Sequence, residues 1–90
     1  MTATVDIPTI FRSATNGRKT LQAEGRTVRE IIESIEVSAS GIRDRLVTGG
    51  ELRRFVNVYV DDDDVRFLSG LDTVVANGSR ITILQAVAGG

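Results

Sequence analysis

The chain has 90 residues, with 11 basic and 12 acidic side chains and a net charge of −1. That is room for one domain, whose core must be continuous because so short a chain buries only about 60% of its unfolded surface. Cysteine and histidine are absent, which excludes disulfides, thiolate and imidazole metal ligands, and every Ser-His or Cys-His nucleophile. Residues 4 to 11 alternate, with Val5 and Ile7 on one face, and predict a first strand. Pro8 offers no amide donor, so the strand must bend there or turn its donor side away from a neighbour. Asn16-Gly17 suits a tight hairpin turn. Residues 18 to 24, with Leu21 and Ala23 on one parity, predict the returning strand.

Thr27 followed three residues later by Glu30 is a capping box that opens a helix. Val28, Ile31, Ile32 and Ile35 then fall at i, i+3, i+4 and i+7, one apolar stripe. The helix is expected to end between Val37 and Ser40, before Gly41. Ile42 and Leu46 anchor a further short turn, and Gly49-Gly50 is a loop. Residues 54 to 60 are the clearest strand, with Val56, Val58 and Val60 on one face and Phe55, Asn57 and Tyr59 on the other. Asp61 to Asp64 predicts a polar turn, Val65 to Phe67 a short strand, and Asn77-Gly78 another turn. The last strand, Arg80 to Ala86, turns Ile81 and Ile83 inward and Leu84 outward. The chain stops at Val87-Ala88-Gly89-Gly90. One helix across a mixed sheet of four or five strands is an α+β domain, with the last strand beside the first and parallel to it. Residues 1–86 form that domain and residues 87–90 are expected to be a flexible tail.

Other signals carry little chemistry. Asp61 to Asp64 fails the calcium-loop pattern, because Val65 and Arg66 stand where an acid or amide and a glycine are needed. Asn77-Gly78-Ser79 matches a glycosylation sequon, but no secretion signal accompanies it. Gly17-Arg18-Lys19-Thr20 has the wrong spacing for a phosphate loop, and the serines have no base to activate them. The charge balance argues against a nucleic-acid partner. The apolar runs are too short to span a membrane, so a cytoplasmic location is expected.

The order strand-turn-strand-helix-strand-strand, closed by Gly89-Gly90, resembles the ubiquitin-like β-grasp family and, within it, the bacterial ThiS/MoaD-type sulfur carriers. Residues Arg54-Phe55-Val56-Asn57-Val58-Tyr59-Val60, the acidic turn running into Val65-Arg66-Phe67, Ile7-Pro8-Thr9-Ile10 and the stretch from Ile83 to Gly90 are most similar to the carriers of cysteine biosynthesis. Gln85 departs from a proline common before the tail in related carriers, which puts the branch in question but not the Gly-Gly chemistry.

The resemblance implies a protein co-substrate rather than an enzyme. An ATP- and Mg-dependent adenylating and sulfurtransferase partner would activate the Gly90 carboxylate and convert it to a thiocarboxylate. An acceptor synthase of the cysteine synthase type would take the sulfur, and a metalloprotease would release the cysteine formed on Gly90. The chain itself would bind no cofactor and no metal. No trimming is expected before Gly90 is available. Val87, Ala88 and Gly89 keep the approach to a partner's channel slim, since glycine has no side chain to jam it and tolerates any backbone angle. Phe55, Tyr59 and Leu84 are the expected partner-binding patch, with Arg53, Arg54 and Arg66 available for charge pairing. The alternatives are sulfur supply to molybdopterin or thiamine synthesis, a protein modifier conjugated through Gly90, and a β-grasp binding module with no chemistry. Lys19 is the only lysine, which leaves a lysine-linked chain of this protein a single site.

Overall fold

A computed structural model describes residues 1–85. The strands are β1 (Thr2–Asp6), β2 (Thr20–Glu24), β3 (Val47–Thr48), β4 (Glu51–Leu52), β5 (Val56–Val60), β6 (Asp63–Asp64) and β7 (Arg80–Gln85). The helices are α1 (Val28–Ser38) and α2 (Ile42–Leu46), joined by 3-10 turns at Thr9–Thr15, Val65–Phe67 and Gly70–Asp72. Five strands form one mixed sheet in the order β2-β1-β7-β5-β6, and β3-β4 is a separate small hairpin. β7 runs parallel to β1 and antiparallel to β5. This is the β-grasp arrangement, an α+β domain as expected.

Alternation builds the sheet's two faces. Ala3 and Val5 on β1, Leu21 and Ala23 on β2, Val56, Val58 and Val60 on β5, and Ile81 and Ile83 on β7 are all buried. They meet the α1 stripe Val28, Ile31, Ile32 and Ile35, also buried. Ile42 and Leu46 close one end of the core at 0% exposure each. Burying an aliphatic side chain of this size stabilises the fold by about 1.5–3 kcal/mol, so this continuous layer is the main driving force. No helix among the described residues is long and apolar enough to cross a membrane.

The capping box forms in a shifted version. The Glu30 amide donates to Thr27 Oγ1 at 3.3 Å, while the Glu30 carboxylate reaches past Thr27 to accept from the Arg26 amide at 2.9 Å. The second contact is possible because Gly25 lies against the first helical turn. A Cβ at Gly25 would sit 2.7 Å from the Glu30 Cβ and 2.9 Å from the Ile31 amide nitrogen.

Four readings need correction. The first strand ends at Asp6 rather than residue 11, and the link to β2 is a 3-10 turn, not a two-residue hairpin. Pro8 starts that turn at φ −67, and the winding chain carries Phe11 into the core at 4% exposure, beneath the Arg45 guanidinium. Asn16 and Gly17 then leave the turn in left-handed conformations. Val65 to Phe67 is a 3-10 turn and not a strand, because the Asp64 side chain accepts the Arg66 amide at 2.8 Å and curls the chain. Only Asp61 and Asp62 make the acidic turn, at φ 49 and 80, while Asp63 and Asp64 pair back onto β5. Arg54 and Phe55 precede β5 as a turn rather than opening it.

Two predictions follow from the helix ends. Gly25→Ala forces backbone against backbone and should cost about 1–3 kcal/mol of stability, read by urea unfolding; an unchanged midpoint would show that the entry to α1 yields freely. Glu36 caps α2, its carboxylate accepting from the Gly41 amide at 2.9 Å and the Arg43 amide at 2.8 Å. Those amides hold its pKa below the ordinary 4.5. A lowered folded pKa contributes stability that is present above the unfolded value and lost as pH falls through the folded one. Glu36→Gln should therefore lower Tm by a few degrees near neutrality, and the gap to wild type should close as pH drops from about 6 to about 3. A constant gap across that range would remove the carboxylate charge from the account.

Candidate functional site

The candidate site is the end of the chain and the sheet face beside it. β7 lies in the middle of the sheet: β1 pairs with its first half, Arg80 to Thr82, while β5 pairs along it as far as Gln85 and alone holds the root of the C-terminal segment. Its last described pairing is Val56 with Gln85. Ala86, Val87, Ala88, Gly89 and Gly90 lie outside the described residues, so the expected 87–90 tail falls there too.

The start of β7 is fixed by the acidic turn. Asp61 accepts from the Ser79 hydroxyl at 2.9 Å and from the Arg80 amide at 2.8 Å, and its own amide donates to the Arg80 carbonyl at 2.9 Å. With Asp64 capping the next turn, the first and last carboxylates of this run are engaged in local structure. Among the described residues no group of three or more acidic side chains is placed to hold a metal ion.

The sheet face away from α1 has a charged end and an apolar end. At the charged end Arg80 makes a bidentate pair with Asp6 across β1 and β7, Nε to Oδ2 and Nη2 to Oδ1 each at 2.6 Å. The hydrogen bond to Asp6, reinforced by its charge, raises the Arg80 pKa further above an already high value. Thr82 Oγ1 donates weakly to Asp6 Oδ2 at 3.4 Å. At the apolar end Leu84 is 47% exposed and lies opposite Asn57, while Tyr59, half-buried, lies opposite Thr82. Phe55 is 40% exposed on the turn before β5, with the Arg54 guanidinium 5.4 Å above its ring. Leu84 on β7 and Phe55 on the turn before β5 thus lie near the tail root, while Tyr59 lies further along β5 toward the charged end, beyond Asn57.

The three arginines expected to pair with a partner divide differently. Arg53 Nε donates to the Asp44 carbonyl at 2.8 Å. Arg66 donates to Asn57 Oδ1 and to the carbonyls of Arg53 and Arg54, so its guanidinium is laid across the chain's own surface. Arg54 covers Phe55 instead. No sequence signal marks these bonds, nor the Asp6–Arg80 pair, whose members are 74 residues apart. An open cleft of about 360 Å³ lies between the β3-β4 hairpin and the Gly70–Asp72 turn. Arg29 crosses it to Asp72 at 3.3 Å, so its charges are matched within the chain.

Among the described residues the site presents a strand paired with β5 as far as Gln85, with Leu84 and Phe55 exposed beside it. Known proteins share this fold. The chain is 50% identical to the sulfur carrier protein CysO of Mycobacterium tuberculosis, over all of both chains. The crystal structure of that CysO superposes with a TM-score of 0.91 at 49% identity, covering 94% of this chain and 99% of the other. CysO in the crystal structure of the Amycolatopsis orientalis BexX/CysO complex matches with a TM-score of 0.94 at 53% identity, covering 98% of this chain and 99% of that one. Residues 5–90, Gly-Gly terminus included, match the ThiS family throughout, and the chain belongs to that family.

Proposed function

We propose that this chain carries sulfur on its C-terminus for cysteine biosynthesis. The observation that carries the reading is half identity over full length to a sulfur carrier protein CysO, in a chain that itself ends in Gly-Gly. The same likeness favours cysteine over molybdopterin or thiamine as the destination. The chain acts as a substrate of other enzymes. An ionised carboxylate is a poor electrophile, so Gly90 must first gain a leaving group. A partner joins it to AMP from ATP, releasing pyrophosphate. A sulfur donor then attacks the carbonyl carbon: the C–S bond forms, the C–O bond to AMP breaks, and AMP departs with the electron pair. The thiocarboxylate sulfur bonds to the side-chain carbon of an activated serine held by a synthase as that carbon's leaving group departs. The serine amine then attacks the Gly90 carbonyl, the bond from that carbonyl to sulfur breaks, and a metalloprotease hydrolyses the resulting amide to free cysteine.

This chain supplies the reach and the grip. Glycine at 89 and 90 fits a narrow channel. Fixing each tail residue costs about 1–2 kcal/mol in backbone entropy, so the partner must recover that energy from the folded domain. The Phe55, Tyr59 and Leu84 strip is the part of the surface suited to that, with aromatic and aliphatic area beside the tail root. A solved complex of the Amycolatopsis relative with BexX supports a partner that docks on the folded carrier.

The deciding experiment incubates the protein with ATP, sulfide and the adenylating enzyme of its own cell, then reads intact mass. A gain of one sulfur-for-oxygen exchange on the C-terminal peptide is expected, and a cysteinyl adduct on Gly90 once synthase and activated serine are added. An unchanged mass despite verified pyrophosphate release would reject sulfur carriage. Gly90→Ala should abolish loading while Tm stays within error, whereas full loading of that variant would contradict the narrow-channel argument. Phe55→Ala and Leu84→Ala should each raise the carrier KM in the activation step by roughly five- to tenfold without loss of fold; wild-type KM values in both would move the grip elsewhere.

A further inference from the structure

Arg66 is exposed, yet its guanidinium is committed to one stretch of chain. Nη1 donates to Asn57 Oδ1, and Nη2 donates to the carbonyls of Arg53 at 2.8 Å and Arg54 at 3.3 Å. None of these acceptors is a carboxylate, so the contact is one of shape rather than charge neutralisation. The backbone of Arg66 is itself fixed, since its amide is held by Asp64 Oδ1 at 2.8 Å. The side chain is therefore a strut with both ends anchored. It runs from the Val65–Phe67 turn to the 53–57 stretch.

That stretch carries what a partner would meet. Phe55 stands on the turn between the two carbonyls and Asn57, and Val56 is the register partner of Gln85 at the tail root. From the other side the turn is held by the Arg53 amide on the Leu46 carbonyl and by Arg53 Nε on the Asp44 carbonyl, each at 2.8 Å. These bonds hold Arg53, the Val56 amide closes the turn on the Arg53 carbonyl at 3.0 Å, and the Arg54 carbonyl within the turn is held by Arg66. A planar fork can serve three acceptors at fixed angles, and a lysine ammonium cannot reproduce that geometry.

We infer that Arg66 is a positioning residue for partner docking, whose guanidinium sets the 53–55 turn and so places Phe55 beside the root of the C-terminal tail. This role rests on the sulfur-carrier reading and its docking strip. The test is a double-mutant cycle on the full chain, with Arg66→Ala, Phe55→Ala and the pair. The readout is carrier-dependent ATP–pyrophosphate exchange by the adenylating enzyme. Arg66→Ala should raise KM by roughly the same five- to tenfold factor as Phe55→Ala and leave kcat unchanged. The double variant should be no worse than either single one, because both remove the same contact. Hydrogen exchange at the Phe55 and Val56 amides should speed up in Arg66→Ala, and Arg66→Lys should restore only part of the KM. If Arg66→Ala does not fold, Arg66→Lys is carried through the same cycle.

Multiplying effects in the double variant would overturn the inference, since Arg66 would then act on the partner independently of Phe55. So would a wild-type KM in Arg66→Ala when Phe55→Ala raises it. A wild-type KM in Phe55→Ala would take Phe55 out of the docking strip, and this role with it. Absence of exchange with the wild-type chain would overturn the carrier reading itself.

Discussion

The structure depends on the seating of β7 between β1 and β5. Thr4, Val5 and Asp6 pair in parallel with Arg80, Ile81 and Thr82, joining the two ends of the chain. A parallel pair needs a crossover, and α1 supplies it. The pairing brings Ile81 and Ile83 under the α1 stripe and turns Thr82 and Leu84 to the opposite face. Because side chains alternate, a slip of one residue would exchange those faces and put Leu84 in the core. The devices around β7 oppose such a slip. Asp61 grips Ser79 and Arg80 at its start, and Asp6 grips Arg80 from the neighbouring strand.

That seating bears on the proposed chemistry. The chain has no histidine and no cysteine, and no acidic metal cluster lies among its described residues. What the fold supplies is a strand held by β5 as far as Gln85, directly before the C-terminal segment. A partner that grips the outer face thereby knows where the tail begins. The inner face of the same strands is spent on packing, so the division between fold and recognition runs along the parity of β5 and β7.

Arginine performs much of the local fastening. Arg53, Arg66 and Arg80 each take two or more positions in the hydrogen-bonding scheme, mostly on carbonyls or across strands. Exposed contacts, the Asp6–Arg80 ion pair included, add little to global stability. Their value is in holding loops and strand ends in one geometry. The Arg66 strut is the clearest case, since it acts on the turn that bears Phe55.

Much was legible before any coordinates. The Thr27–Glu30 box and the Val28, Ile31, Ile32, Ile35 stripe located α1, and Val56, Val58 and Val60 located β5, because periodicity is a local property of the chain. The inward Ile81 and outward Leu84 follow from the same rule. The terminal Gly89-Gly90 and the resemblance it completes are written in the sequence outright. The errors arose where local signals compete. Residues 9 to 11 read as strand, yet Pro8 ended the pairing and the core drew Phe11 inward. Residues 65 to 67 read as strand, yet the Asp64 cap curled them. The capping glutamate reached Arg26 because Gly25 let the backbones approach. Arg66 looked like a free surface charge, and only the fold showed its three acceptors, nine to thirteen residues away. The sequence by itself determined the main helix, the principal strands and their buried faces, and the Gly89-Gly90 pair on which the resemblance rests. Tertiary structure alone decided which strands are neighbours and which polar side chains bond within the chain, since both depend on contacts between residues far apart in the chain.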